Sequence, residues 1–505
     1  MTTTPVARPL RRALAALTAG ACVLAGCSGP AFEGSAFPVE TVDFSAPLAI
    51  PPLAGSRVEE DGTRVFELTA QEGTSELRPG VETPTWGFDG AYLGPTLRAE
   101  VGERVAVEVS NDLAEATTVH WHGMHLPAEM DGGPHQMIEP GETWRPTWVV
   151  DQPAATLWYH PHPHGRTEQH VYRGLAGMFI LDDPAAAPDL PATYGVDDVP
   201  VVVQDKQLDD EGRLTLDRNR SEPGLMGSLI MVNGTVGAYH EVTTERVRLR
   251  LLNASTARTY NLGFTDERTF HLVGTDGGLL AEPHETSRVR LSPGERAEVV
   301  VALEPGEVAT LDSDSPDLGD VAAPAAFGGQ DVFEVLELRA APTLTPSPPV
   351  PEVLAEVPRI PESAATVTRE LEVAVRMING RRMDLARIDE VVTEGATEIW
   401  EVRSIDPLTH NFHIHDVQFQ VLDVDGEPPP PELSGWKDTV YLEPRRTYRL
   451  IMQFADHSDP DSPYMFHCHL LRHEDEGLMG QLVVVEPGTE PPRTLPTGDD
   501  GGHNH

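Results

Sequence analysis

The chain has 505 residues, more than one hydrophobic core usually organises, so two to four domains are expected and the composition breaks below divide it into three. Hydrophobic residues make up 39% and aromatics 6%, with 44 Gly and 46 Pro spread along the chain, which excludes a long-helix architecture and suits a turn-rich β protein. A formal charge of −43 excludes nucleic acid as a natural partner and predicts a well-solvated acidic surface, with attraction of cationic substrates, metal ions included, as a second use.

Residues 1–27 carry Arg8, Arg11 and Arg12, a short apolar run, and then Leu24-Ala25-Gly26-Cys27, the pattern of a signal peptide. The apolar run is too short to span a bilayer. Leu-Ala-Gly-Cys resembles the bacterial lipobox, which predicts lipidation of Cys27 and a protein tethered to the outer face of the cell membrane; with an incidental cysteine the protein is secreted. Arg11-Arg12 leaves twin-arginine export open beside the general route. After processing, Cys468 is the lone cysteine of the globular part, so no intramolecular disulfide forms and its thiol needs another explanation.

A polar tether is expected at 28–44. Residues 45–183 hold alternating strands such as Arg104-Val105-Ala106-Val107-Glu108-Val109, with the three valines on one face. Pro-rich acidic sequence at 182–200 reads as a linker. A second β-rich stretch, 196–340, contains Val247, Leu249 and Leu251 alternating with arginines, and a strand at 297–301. Prolines at 341–353 mark the next boundary. The third stretch, 364–488, ends in the strand Gln481-Leu482-Val483-Val484-Val485, and 489–505 reads as a disordered tail. Val101-Gly102-Glu103-Arg104 and Pro293-Gly294-Glu295-Arg296 echo one another as a turn leading into a strand. The expected fold is all-β, three β-sandwich domains.

Chemistry concentrates in four places: His120-Trp121-His122, His160-Pro161-His162-Pro163-His164, His410-Asn411-Phe412-His413-Ile414-His415, and His467-Cys468-His469 followed by His473. On a strand, residues i and i+2 share a face, so each His-x-His pair aims two imidazoles at one place. Imidazole alone suits copper, zinc, iron or nickel. Cys468 narrows the choice, because with His410 and His473 it can form the His₂Cys set of blue copper, while His467 and His469 point to the opposite face.

These motifs, with Arg250-Leu251-Leu252-Asn253 and Trp436-Lys437-Asp438-Thr439-Val440 between them, resemble the multicopper oxidases over essentially the whole mature chain. The resemblance implies three cupredoxin-like Greek-key domains and four copper ions. It implies type 1 copper at His410, Cys468 and His473, type 2 copper at His120 and His413, and a type 3 pair at His122, His160, His162, His415, His467 and His469. These cluster ligands come from the first and third segments, so the cluster is expected between them with the middle domain as a spacer. Asp131 and Glu474 match the family's proton-relay acids, although a turn aspartate and a solvated glutamate would look the same. His164 is expected beside the ligands rather than among them, and His125, His135, His170, His240, His271, His284 and His457 have no assigned role.

The usual axial methionine of type 1 copper is replaced by Leu478, which predicts a strongly oxidising site; a shift of one residue would instead let Met479 bind. Asp406, four residues before His410, is placed to guide a cation, to take a phenol's proton, or to cap a turn. O₂ and a small reducing substrate are the expected partners of a monomer. The absence of a methionine cluster favours phenols or aromatic amines, as for a laccase, over Cu(I). A cuprous oxidase is the alternative. A copper nitrite reductase would not need all four His-x-His pairs, and a non-enzymatic cell-division relative would not need to keep the ligands.

Overall fold

A computed structural model describes residues 1–2, 39–216, 222–490 and 493–495; the expected signal peptide, Cys27, and His503 and His505 lie outside them. The fold is all-β, three cupredoxin-like sandwiches, each made of two sheets around its own apolar core.

In the first sandwich, one sheet runs Ser56–Val58, Arg64–Arg78, Arg104–Asn111, Thr143–Trp144, and the other Leu97–Glu100, Gly177–Asp182, Thr156–His160, His120–His122. Alternation decides which face is buried: Val105, Val107 and Val109 have no exposed surface and pack with Phe66, Leu157 and Phe179. Full burial of such side chains contributes about 1.5–3 kcal/mol each. The second sandwich is built from Asp198–Lys206, Arg246–Asn253 and Arg296–Ala302 with their neighbours, facing a sheet that includes Phe333–Thr345. The third pairs Val367–Ala374, Ala396–Ser404, Thr447–Phe454 and Phe419–Val424 against Glu390–Thr393, Met479–Val485, Tyr464–His467, His410–Ile414 and Thr439–Leu442. The strands expected at 104–109, 247–251, 297–301 and 481–485 all lie within observed ones.

The structure corrects several edges of the expected segments. Ala46–Pro47 pairs in parallel with Ala238–Thr244, joining the second sandwich rather than the first. The end of the expected tether is laid down against the protein, because Arg78 and Ser228 both donate to Glu40. The strand Phe333–Thr345 continues into the proline-rich stretch. Within the expected tail, Thr494 bridges to Arg387 and Leu495 packs with Ile388, Val483 and Val485.

Candidate metal centres

Strand register assembles the histidines. In the first sandwich His120–His122 pairs antiparallel with Thr156–His160, setting His120 opposite His160; in the third, His413 lies opposite His467. His162, His415 and His469 follow just beyond strand ends. All eight rings are buried, and the two domains interleave them: His120 stacks on His415 with centroids 3.7 Å apart, and His122 on His413 at 3.8 Å.

The ring nitrogens sort into three groups. His122 Nδ1 and His469 Nε2 each lie 3.4 Å from His160 Nε2. His162 Nε2 and His415 Nε2 lie 3.2 and 3.3 Å from His467 Nε2. His120 Nε2 and His413 Nε2 are buried without a hydrogen-bond partner, in a site so polar that such orphans call for an explanation. Burial, which penalises a charged ring, together with repulsion among neighbouring imidazoles holds His122, His160, His162, His413, His415 and His469 well below their usual pKa, and His467 at about 3. These seven rings are therefore neutral, each with one nitrogen lone pair. Neutral donors crowded at 3.2 to 3.4 Å, with orphaned nitrogens among them, fit metal ions between them.

Outer contacts choose which nitrogen faces inward. Nδ1–H donates to a backbone carbonyl in His120 (Asp131), His160 (Pro161), His413 (Asp438) and His467 (Cys468), leaving Nε2 free. His415 Nδ1 donates to Asp131 Oδ2 at 2.7 Å, and Glu474 places Oε1 3.4 Å from His162 Nδ1 and Oε2 3.3 Å from His467 Nδ1. The expected proton-relay acids thus both touch ring nitrogens of the histidine group. His122 is reversed: its Nε2 meets Asp438 Oδ1 at 3.0 Å, so Nδ1 points at the partners.

The expectation that the middle domain is a spacer is corrected here. Its Arg296, fully buried, binds both oxygens of Asp438 at 2.8 and 2.6 Å and so fixes the group that holds His122 and His413. Gly294 sits against the rings: a Cβ there would approach His469 Cγ to 3.1 Å and His122 Cε1 to 3.2 Å, at a φ of +89° that favours glycine. Asn411 donates to Ser292 and to the Pro293 carbonyl, and its own oxygen takes the His469 N–H at 2.6 Å. In sequence this loop is legible only as the second copy of a turn-plus-strand echo, which says nothing of its contacts.

The second centre adjoins the first. Cys468 Sγ lies 3.7 Å from Nδ1 of both His410 and His473, whose Nδ1 atoms are 3.2 Å apart. Burial raises the thiol pKa, but the two imidazoles outweigh it and bring it to about 6. The neighbours of Cys468 in sequence belong to different histidine groups, His469 with His160 and His467 with His162.

Asp406 proves to be both a turn cap and a brace. Its Oδ1 takes the Leu408 N–H at 2.9 Å and lies 3.1 Å from His410 Nε2, while Oδ2 takes the Val375 N–H at 2.5 Å. Burial opposes its charge, but His410 and these N–H groups bring its pKa down to about 2. Leu478 is fully buried in the apolar cluster that contains Cys468, whereas Met479 pairs on the strand opposite His467 outside that cluster. His164 is exposed and joins none of the groups. His170 is structural, held by Thr117 and Glu115 against Trp86. His473 Nε2 lies 3.6 Å from Glu222, which sequence reading passes over.

Residues 69–186 and 349–488 match two family models, each described as multicopper oxidase. The multicopper oxidase Mco of Staphylococcus haemolyticus is 34% identical over 442 residues, 87% of this chain and 92% of that protein. The cell division protein FtsP of Dickeya dadantii is 37% identical over 449 residues, with the same two coverages, 87% and 92%. Among solved structures, the laccase-like multicopper oxidase CueO of Ochrobactrum sp., described as having oxidase activity towards lignin model compounds and lignosulfonate, superposes with a TM-score of 0.79 at 34% identity, covering 87% of this chain and 100% of that one.

Proposed function

This chain belongs to the multicopper oxidase family, and on that footing we propose that it is a laccase-like oxidase, taking electrons singly from small phenols or aromatic amines and reducing O₂ to water. The observation that carries the reading is Cys468, whose sulfur meets His410 and His473 while its two chain neighbours enter separate histidine groups. Type 1 copper would be held by His410, Cys468 and His473, and type 2 copper by His120 and His413. The type 3 pair would be held by His122, His160 and His469 and by His162, His415 and His467. Copper at these residues supplies reversible one-electron chemistry beside the thiolate and multi-electron reduction of O₂ among the eight histidines.

The chain's own residues then do three things. Asp131, Asp438 and the backbone carbonyls fix tautomers, so that each lone pair is already aimed inward. Asp131 and Glu474, whose carboxylates reach ring nitrogens of the cluster histidines, are the proposed proton relay. The covalent path from Cys468 to His467 and His469 joins the two centres without solvent between them. Glu474→Gln is expected to slow reoxidation of the reduced enzyme about 10²-fold or more with copper per chain unchanged, as read by stopped-flow after anaerobic reduction. Unchanged reoxidation would remove Glu474 from the relay.

Leu478 shares the apolar cluster of Cys468 and offers no donor atom, so a copper held by His410, Cys468 and His473 would gain no further ligand from it, which supports a raised potential. Leu478→Met is expected to lower that potential while Met479→Leu leaves it in place; redox titration of the blue absorption reads both, and the reverse pattern would assign the axial role to Met479.

Two features support an organic donor. Val375 and Ile405, 46% and 43% exposed, offer apolar surface beside the Asp406–His410 pair, and the Ochrobactrum relative is described as acting on lignin models. O₂ uptake with a phenol compared with Cu(I) tests this, and a strong preference for Cu(I) would make the protein a cuprous oxidase. The FtsP match raises a non-enzymatic alternative; retention of all eleven ligand positions supports the oxidase, and purified protein that cannot be loaded with copper would reverse that. For location we propose an exported monomer tethered by lipid at Cys27, expected to incorporate labelled palmitate in the wild type and not in Cys27→Ala.

A further inference from the structure

We propose that His125, Asp456 and His457 form a further cation site, separate from the histidine centres, for a borderline divalent ion of the Zn²⁺ and Cu²⁺ class, with Asp416 bracing His125 from behind. His125 comes from the first sandwich, and the other three residues come from the third. His125 Nε2 lies 2.9 Å and His457 Nε2 3.6 Å from the same oxygen, Asp456 Oδ1, and the two rings are 4.7 Å apart. Metal–ligand bonds of about 2.0–2.2 Å put neighbouring ligand atoms about 3.3 Å apart, so these separations suit one shared ion. Two imidazoles and one carboxylate are donors for the borderline class, where an all-oxygen set would favour Mg²⁺ or Ca²⁺.

Three further observations point to a ligand. Asp456 Oδ1 is buried yet makes no hydrogen bond, although His125 Nε2 is near, and Asp416 Oδ2 is likewise buried and unpartnered. His125 Nδ1 meets Asp416 Oδ1 at 2.7 Å, the outer carboxylate contact that characterises a metal-bound histidine and leaves Nε2 as the ligand atom. Asp416 and His457 both adopt left-handed backbone, φ +70° and +59°, a strain that the chain accepts at two of four positions in one cluster. His125 and Asp416 also line a cavity of about 1060 Å³ to which all three sandwiches contribute, a route for an ion from solvent.

The test uses the full-length copper-loaded protein, dialysed free of loose metal and titrated calorimetrically with Zn²⁺, with Cu²⁺ as a second arm that separates the two ions. One ion per chain is expected, with a rise in Tm. His457→Ala and Asp456→Asn, both at partly exposed positions, are each expected to weaken binding at least about 10-fold while copper per chain and the blue absorption stay as in the wild type. His271→Ala, a histidine outside the cluster, should bind as the wild type does. Absence of stoichiometric uptake, binding unchanged in both variants, or zinc uptake that expels the resident copper would each overturn the site.

Discussion

Arg296→Gln is expected to lower copper per chain and to unfold the protein at a lower temperature, although residue 296 lies in the sandwich that supplies no histidine to either centre. The guanidinium holds both oxygens of buried Asp438, and one of those oxygens holds His122 with Nδ1 facing its partners. Glutamine can meet one oxygen only, which leaves a buried carboxylate part-paired. Breaking such a pair costs about 3–5 kcal/mol, and loss of an outer contact to a metal-bound histidine typically weakens metal binding about 10–100-fold. Arg250→Gln supplies the control. Arg250 is 3% exposed, is paired with Asp198 and Glu298 in the same sandwich, and touches no ligand histidine. Both variants should lose comparable thermal stability, while only Arg296→Gln should lose copper on reconstitution. Equal copper content in the two would reduce Arg296 to a structural residue.

Cys468→Ser is expected to bring turnover down to that of copper-free protein and to abolish the blue absorption, while copper held by the eight histidines remains. His410 and His473 together hold the thiol at about pKa 6, so the sulfur is ionised at neutral pH; a serine hydroxyl in the same place stays protonated and is a hard, weak ligand. Serine keeps the small buried volume, and its hydroxyl can donate to Asn411 Oδ1, which lies 3.5 Å from Cys468 Sγ, so the fold is expected to persist. Metal analysis, visible absorption and O₂ uptake on one preparation check the three parts together. Turnover retained without the sulfur would place electron entry elsewhere and overturn the proposed division of roles.

Arg296 lies in no histidine motif, so nothing in the sequence marks its contact with Asp438. Asp131 and Glu474 were legible because they sit within or beside the histidine motifs, and in the structure both reach ring nitrogens of that group. Asp406 was visible as a candidate, but its office was not: whether a carboxylate caps a turn or meets a substrate depends on which N–H groups the fold brings to it, here those of Val375 and Leu408. Glu222, beside His473, had no motif to mark it.

What the sequence by itself determined is whatever depends on short spacing. A two-residue strand repeat puts His120 and His122 on one face, and alternating valines choose the buried side of each sheet. Tertiary structure decided what depends on meetings between distant segments. Strand register sets His120 opposite His160 and His413 opposite His467. The closing of two sandwiches on each other brings the resulting rings into stacked pairs. The third sandwich in the contact, through Asp438, turns His122 around, since the tautomer of an imidazole follows from the partner that takes its other nitrogen, and that partner lies 316 residues away.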